Sequence, residues 1–254
     1  LLLDSRMRRL NRELTAIKEC ARAVIKARSE QELWDSICRI VCEIAGYRLT
    51  WVGLAEHNDS KDIRPVAWSG YNEEYVLSVR ATWGDGERGT GPAGVSIKTG
   101  RTTFIQDVMN DDRYDLWREN ALKNGYRSLI AIPLMDSGEA FGALMIYSDR
   151  ADGFTAEEVE LLEEMAGDLA FGIITLRMRR EREKAMDALK RVEARNRTLY
   201  DLSQMTGATS KDLTERAMNS CISLSDSKFG FVAFVNEDET ALTMQIWSKQ
   251  VIEE

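Results

Sequence analysis

A pattern near the start of the chain recurs about 180 residues further on. Three positions match at an offset of 180 and a fourth at 179: Leu33 with Leu213, Trp51 with Phe231, Val52 with Val232, and Trp68 with Trp247. Each copy has the pattern of a helix, a second helix and a hairpin. The period is far longer than that of stacked repeat proteins, so the recurring unit is a domain. We therefore expect two copies of one domain, the first complete over 28–176 and the second, 201–254, truncated after its first hairpin.

Two segments without glycine or proline predict long helices, 1–27 and 177–200. Apolar or core-type residues recur there at alternating steps of four and three: Leu3, Met7, Leu10, Leu14, Ile17, Ala21 and Val24, then Ala185, Leu189, Val192, Asn196 and Leu199. Such spacing is typical of a coiled-coil seam. We expect both segments to be linker helices that pair in parallel with those of a second, identical chain. A change of phase between Leu176 and Ala185 predicts a stutter.

The segment between these helices predicts an α+β domain. Alternating apolar residues and turn signals predict strands at 47–56, 63–68, 102–106, 127–134 and 140–148, and helices at 30–45, 72–80, 92–98 and 115–123. A capping box of Thr155 and Glu158 begins the long closing helix. Hairpins between neighbouring strands, with helices at both ends, predict an antiparallel sheet of about six strands flanked by helices.

The order of these motifs resembles that of a GAF domain, a sensor module related to the PAS domain. The resemblance is carried by GERGTGPAGVSIKTGR, Asp107, GYRSLIAIPL, AFGALMIYS and the pattern F-x-x-E-E-x-x-L-L, between about Arg28 and Leu176. The segment 201–254 looks like the first third of another GAF domain. The helix between them is similar to the signalling helices of histidine kinases and cyclic-dinucleotide enzymes. The resemblance implies a small-molecule pocket between sheet and helices, and a signal passed along the coiled coil to an output domain in the same polypeptide.

A glycine-rich stretch, WGDGERGTGPAGVSIKTGR, contains the pattern G-x-G-x-x-G twice, beginning at Gly84 and at Gly89. That pattern cradles phosphate where it follows a strand and opens a helix. Here a helical segment precedes it, and the lysine of a Walker loop and the partner motifs of a kinase are missing. Pro92 and Gly100 suit the start and the end of a short helix. We therefore interpret the stretch as a structural approach to that helix at the mouth of the pocket, with glycines that supply mobility.

Catalytic and metal chemistry lack a complete set of residues. The single histidine, His57, lies in a polar hairpin turn, so neither a haem ligand nor a Ser-His-Asp triad is expected. Cys38 and Cys42 share one helix face, but two thiolates are too few for a zinc or iron–sulfur site. We expect no catalytic residues, no metal and no evident cofactor, only an unknown small-molecule ligand.

A small-molecule pocket is the remaining candidate site. Large rings and polar groups that could line it are Trp68, Trp83, Arg88, Asp107, Trp117, Arg118, Tyr126 and Ser128. Aromatic walls with a few convergent polar groups form such sites. Core packing of the rings and surface pairing of the charges is the alternative, and it is favoured for Trp68.

Charge and composition limit the partners. The net charge of −8 argues against nucleic acid or an anionic membrane as the main partner. No apolar run approaches the ~18–20 residues of a membrane helix, and the spacing of the four cysteines is not a disulfide framework, so we expect a cytoplasmic fragment of a longer polypeptide.

Two functions stay open. One is a sensory module that binds a small molecule and relays the signal through paired helices. The other is a structural spacer with a filled core that binds nothing and only sets dimer geometry. A continuous cavity near Trp83 and Trp117 favours the sensor, and a packed interior favours the spacer.

Overall fold

The computed structural model describes residues 2–70, 72–236 and 238–248, with the side chains of 2–11, 13 and 243–245 left out. The chain divides into two compact units, Leu1–Met178 and Arg179–Glu254. The elements of the first unit are α1 Leu2–Lys26, α2 Glu30–Arg39, β1 Leu49–Ala55, β2 Ile63–Gly70, α3 Glu73–Val79, α4 Pro92–Thr99, β3 Thr103–Ile105, α5 Asp115–Lys123, β4 Ser128–Asp136 and β5 Glu139–Ser148. Helix α6 runs from Ala156 to Ser203, and α7 Ser210–Ser225, β6 Phe231–Val235 and β7 Leu242–Trp247 follow.

The sheet of the first unit has five strands in the order β2-β1-β5-β4-β3, with every neighbouring pair antiparallel. The predicted α+β class is therefore confirmed, with five strands where about six were expected. The hairpin sequences explain the pairing, because Ser137 and Gly138 adopt positive φ at the turn between β4 and β5. Both faces of the sheet are buried, so its central strands carry apolar residues on either side.

Alternation along β1 and β5 divides the core into two layers. Val52, Leu144 and Ile146 face the layer that contains α2 and the first part of α6. Trp51 and Met145, which are paired across the two strands, face the layer that contains α3, α4 and α5. Successive side chains of a strand point to opposite faces, so each strand connects the two layers.

Local sequence signals account for most helix ends. The Ser29 side chain accepts a hydrogen bond from the backbone N–H of Glu32 and begins α2, which continues as a π-helical turn over Ile40–Ile44. Pro92 opens α4, and Gly100 ends it in the left-handed conformation with φ 62°, as predicted.

The capping box of α6 is also confirmed. The backbone N–H of Thr155 donates to the Glu158 carboxylate at 2.8 Å, and the backbone N–H of Glu158 donates to the Thr155 hydroxyl at 3.3 Å.

The predicted seam of α1 is only partly described, since Leu3, Met7 and Leu10 lie outside the described side chains. Leu14 is 56% exposed, whereas Ala16 and Cys20 are fully buried in the core of the first unit. The face that α1 buries within its own unit is therefore centred on residues that the seam does not include.

The second unit repeats the register of the first hairpin. Trp51 pairs with Trp68 in β1–β2, and Phe231 pairs with Trp247 in β6–β7. In both hairpins the register shifts immediately after the next valine, at Val52/Gly53 and at Val232/Ala233. The structural positions therefore follow the sequence repeat.

Candidate functional site

A small cavity lies between the sheet and the helices of the α3–α5 layer. Its residues come from β1, β5, the end of α3 and the segment from Arg88 to Trp117: Trp51, Val79, Ala81, Arg88, Gly91, Pro92, Ala93, Gly94, Tyr114, Trp117, Met145 and Tyr147. We call this the aromatic cavity. Its volume is about 10 Å³. That space holds at most a single water molecule, so the rings that enclose it are close-packed.

Polar tips of the aromatic side chains meet beside this cavity. The hydroxyls of Tyr75 and Tyr114 hydrogen-bond to each other at 3.0 Å, and the indole N–H of Trp51 donates to the Tyr147 hydroxyl at 3.4 Å. The Tyr126 ring packs against Tyr75 and Tyr147, with centroids 4.9 and 5.1 Å away. The buried Tyr126 hydroxyl has no hydrogen-bond partner among the described residues. Buried hydroxyls are normally paired, so this one is available to a further polar group.

Burial keeps these hydroxyls neutral. It raises the pKa of Tyr75 and of Tyr114 well above the ordinary value, raises that of Tyr147, and raises the pKa of Tyr126 to about 12. The neighbouring Tyr147 adds to the rise for the other three. The site can therefore offer neutral hydrogen-bond donors and acceptors against aromatic faces, and a buried fixed charge is missing among the described lining residues.

The glycine-rich stretch closes one side of the cavity by tight packing. A Cβ atom added at Gly91 would lie 2.6 Å from the Trp117 ring, and one added at Gly89 would lie 2.8 Å from the Gly84 carbonyl carbon. A Cβ at Gly94 would collide with the Thr82 carbonyl oxygen. These glycines are therefore explained by close approach of the backbone, rather than by the mobility expected from the sequence.

Two of the predicted site residues line the cavity and a third supports it. Trp117 forms part of the wall, and its indole N–H donates to the Val79 carbonyl at 3.0 Å. Arg88 reaches the lining from an exposed position in the 3₁₀ turn Glu87–Thr90. Tyr126 lies behind the wall, within the tyrosine cluster.

The other two predicted tryptophans lie elsewhere. Trp83 packs on the β1–β2 turn, where its indole N–H donates to the Glu56 carbonyl at 2.9 Å. The His57 ring meets it edge-on at 5.3 Å and the Lys61 ammonium lies 4.8 Å from its centroid. Trp68 is half-buried on β2, beside the core layer that contains α3, α4 and α5.

The predicted polar residues have structural partners. Asp107 accepts a hydrogen bond from the backbone N–H of Met109 at 3.1 Å, and this bond is the main reason why its pKa is lowered. The Arg118 guanidinium donates to the backbone carbonyls of Val108 and Asp111 at 3.0 and 2.9 Å.

Ser128 is buried and donates to the Arg150 carbonyl at 2.7 Å. These contacts, with those of Asp107 and Arg118, hold the loops around β4 in place, and the three residues are not among those that line the cavity.

Several residues of the site were not predicted: Trp51, Tyr75, Tyr114, Met145 and Tyr147. The alternation of side chains along β1 and β5 could have identified three of them, Trp51, Met145 and Tyr147. Leu49 pairs with Tyr147 and Trp51 pairs with Met145, so these residues share one face of the sheet. Tyr75 and Tyr114 carry no comparable signal, because their meeting depends on how two short helical segments approach each other.

Thiol and metal chemistry are remote from the cavity. Cys20 and Cys38 belong to the core layer on the other face of the sheet, and the Cys42 thiol donates to the Ser69 carbonyl at 2.9 Å. Among the residues described, no cluster of three metal-ligating side chains occurs, and none of their helices is long and apolar enough to cross a membrane.

The comparisons with known proteins agree with this architecture. A family model described as a GAF domain matches residues 27–173. The methyl sulfide methyltransferase-associated sensor of Methanosarcina acetivorans is 38% identical over 74 residues, which are 29% of this chain and 7% of that protein. This chain therefore corresponds to a small part of that relative's length.

Solved structures show the same fold at low identity. The GAF domain of a phosphoenolpyruvate-protein phosphotransferase from Coxiella burnetii is 19% identical, with a TM-score of 0.53 over 68% of this chain and 96% of its own. A free methionine-R-sulfoxide reductase from Neisseria meningitidis, in complex with its substrate, is 18% identical, with a TM-score of 0.52 over 63% of this chain and 86% of its own.

Proposed function

Because the chain belongs to the GAF domain family, we propose that its first unit is a sensory module of a larger signalling protein. In this proposal a small molecule binds in the aromatic cavity, and the signal passes through α6 to an output domain, such as a histidine kinase or a cyclic-dinucleotide enzyme. The word sensor in the name of the Methanosarcina acetivorans relative supports the sensory role.

The convergence of aromatic faces and neutral polar tips on one cavity carries this proposal. Rings of Trp51, Tyr114, Trp117 and Tyr147 line it, and the Tyr126 hydroxyl behind them is unpartnered among the described residues. Small-molecule sites combine apolar walls with a few placed polar groups in this way. Tightly packed cores also contain aromatic clusters, and the buried hydroxyls of Thr50 and Ser96 have no partner among the described residues either, so Tyr126 supports the proposal through its place behind the aromatic wall.

Binding requires the cavity wall to move. Ligand sites usually enclose about 300–1,000 Å³, whereas the aromatic cavity holds about 10 Å³. The wall on the helix side consists of Val79 at the end of α3, the Gly91–Gly94 segment and Trp117. Since the opposite wall is the central sheet, outward displacement of the helix side is the way to make room.

The sheet provides a route from the cavity to α6. Tyr147 lines the cavity, and its neighbour Ile146 lies in the core layer that also contains Leu169 and Ile173 of α6. A ligand seated against Tyr147, once the helix side has moved outward, therefore acts on the strand on which α6 packs. In the proposed parallel homodimer, the helices of 1–27 and 177–200 pair with their copies, and a change in rotation or register is the transmitted signal.

A structural spacer is the second candidate, and the small volume of the cavity favours it. A packed interior was the expected sign of a domain that binds nothing. In that case the unit sets only the spacing and geometry of the paired helices.

Native mass spectrometry and hydrogen exchange together distinguish the two functions. For a sensor, we expect a bound mass on the gently purified chain. Trp117→Phe should weaken its retention and Trp83→Phe should not, because Trp117 lines the cavity and Trp83 does not. We also expect amides of α3 and α4 to exchange by local opening, faster than those of β5. A chain that carries no added mass, and whose α3, α4 and β5 amides exchange at one global rate, is a spacer and refutes the sensor.

A further inference from the structure

An apolar groove runs along α6 on the opposite side of the sheet from the aromatic cavity. It lies within the first unit, between α6, the edge strand β3 and its neighbour β4, and its volume is about 730 Å³. Its apolar lining includes Phe104, Pro133, Met135, Ala170, Phe171 and Ile174. We call it the α6 groove. Phe171 is 68% exposed there and Phe104 is 41% exposed. An exposed apolar surface of this kind, open beside two phenylalanines, is typical of an interaction site.

The pattern of α6 indicates what covers the groove. Phe171 begins a series of residues that are seven apart in sequence: Phe171, Met178, Ala185, Val192 and Leu199. All five are exposed, although four of them are large and apolar. A seven-residue period keeps one stripe in contact with a partner only when the helix supercoils with another helix of the same period. This stripe coincides with the predicted seam at Ala185, Val192 and Leu199 and continues one of its two core positions back to Phe171, while the other position holds Thr175 and Arg182 there.

A second copy of this chain fits both features. In a parallel pair the two copies of α6 run side by side, with their axes about 8–10 Å apart. The same residues then face each other across the symmetry axis, so Phe171 of each copy comes beside the groove of the other. The rim of the groove carries one basic and one acidic residue, Arg101 and Glu163, and opposite charges on one patch suit a self-complementary interface.

We propose that the α6 groove seats a second copy of this chain, with Phe171 of each copy entering the groove of the other at the head of the seam. This inference rests on the proposed pairing of the 177–200 helices and deepens it. It places part of the dimer contact on the sensory unit itself, against strands β3 and β4. A change in the sheet then reaches the interface directly at Pro133 and Met135.

Sedimentation equilibrium of the 254-residue chain tests the proposal with three single variants. Burial of a phenylalanine side chain stabilises a dimer, so Phe171→Glu should raise the dissociation constant of the dimer by about tenfold or more. Val192→Glu, in the seam beyond the groove, should weaken it as well. Leu77→Glu is the matched control, because Leu77 is 57% exposed on α3 and far in sequence from the seam. It should leave the dimer unchanged.

Cross-linking gives a second readout that needs no charged substitution. Phe171→Cys in a Cys221→Ser background, treated with a short bismaleimide, should give a covalent dimer, whereas Leu77→Cys in the same background should not. If Val192→Glu dissociates the dimer while Phe171→Glu does not, and Phe171→Cys fails to cross-link, the groove is not part of the interface although the helices pair. A wild-type monomer at high concentration refutes both the groove contact and the paired helices, and leaves ligand binding to be decided by native mass spectrometry. Retention of a small apolar molecule by a monomeric chain, lost on Phe171→Glu, assigns the groove to that ligand and also overturns the proposal.

Discussion

The hydroxyls of Tyr75 and Tyr114 hydrogen-bond to each other at 3.0 Å in the interior of the first unit, although their positions are 39 residues apart in the chain. Tyr75 belongs to α3 and Tyr114 ends the 3₁₀ turn that leads into α5. Both side chains are almost completely buried. The bond therefore ties together α3 and the segment that leads into α5, which are two of the three parts of the helix side of the aromatic cavity.

This pair predicts a non-additive double-mutant cycle. Tyr75→Phe or Tyr114→Phe alone leaves one buried hydroxyl with a lost partner, at a cost of about 1–3 kcal/mol in the free energy of unfolding. The double variant removes both hydroxyls and should cost less than the sum of the two single variants. Urea denaturation of the four proteins measures the cycle. Strictly additive losses would show that the two hydroxyls do not depend on each other.

The glycine-rich stretch gives a second prediction, with a matched control three residues away. Gly89→Ala places a methyl group against the Gly84 backbone, which cannot swing aside, so we expect a loss of about 1–3 kcal/mol or more. Gly86 has no other atom within 4 Å of its added Cβ and a φ of −73°, so Gly86→Ala should be neutral or slightly stabilising. Denaturation midpoints of the two variants check this, and equal midpoints would mean that the stretch is not tightly packed.

Most of the fold could be predicted from the sequence because its signals are local. Ser29, Pro92, Gly100 and the Thr155–Glu158 pair mark helix ends by their own chemistry, and each marks the end that the structure has. Where the pattern depends on contacts between chains, as in the seam of α1, the structure of one chain shows a different buried face. Ala16 and Cys20 contact the core there.

The candidate site was less predictable, because residues that meet in it are distant in sequence. Large rings with polar groups suggested a pocket; Trp117 lines the aromatic cavity, whereas Trp83 packs on the β1–β2 turn. Arg118 donates to two backbone carbonyls, which no residue pattern reveals, although its ion pair with Asp115, three residues earlier on α5, follows from the sequence spacing. For Trp51 and Tyr147, the alternation of side chains along two paired strands is the sequence signal that places both on one face of the sheet.

The buried tyrosines predict a loss of stability in alkaline solution. The pKa of Tyr126 is raised to about 12 in the folded chain, against about 10 when it is exposed in the unfolded chain. Between these values the unfolded chain releases a proton that the folded chain keeps, so the stabilisation is complete below about pH 10 and is lost as pH rises towards 12. Each such tyrosine lowers the free energy of unfolding by at most about 1.4 kcal/mol for each unit of pH in this range.

Urea denaturation at several pH values between 9 and about 12 measures this slope. Tyr126→Phe should make it shallower. Tyr200→Phe, which removes an exposed hydroxyl from α6, is the control and should leave the slope as it is. A slope that Tyr126→Phe does not alter would mean that this hydroxyl ionises equally in both states.

The burial of the four cysteines predicts that one thiol reacts rapidly with a disulfide reagent. Cys221 is exposed on α7, whereas Cys20 and Cys38 are buried and Cys42 is partly buried with its thiol donating to the Ser69 carbonyl. Burial raises the pKa of Cys20 to about 12, that of Cys38 well above its ordinary value, and that of Cys42. Since the thiolate is the reactive form, a disulfide reagent at neutral pH should modify Cys221 rapidly, Cys42 more slowly, and Cys20 and Cys38 only on unfolding. Titration of the native chain should therefore show one fast equivalent, which Cys221→Ser removes, while denaturant exposes the rest. Fast modification of Cys20 or Cys38 in the native chain would instead show that the core layer between α1, α2 and α6 opens locally.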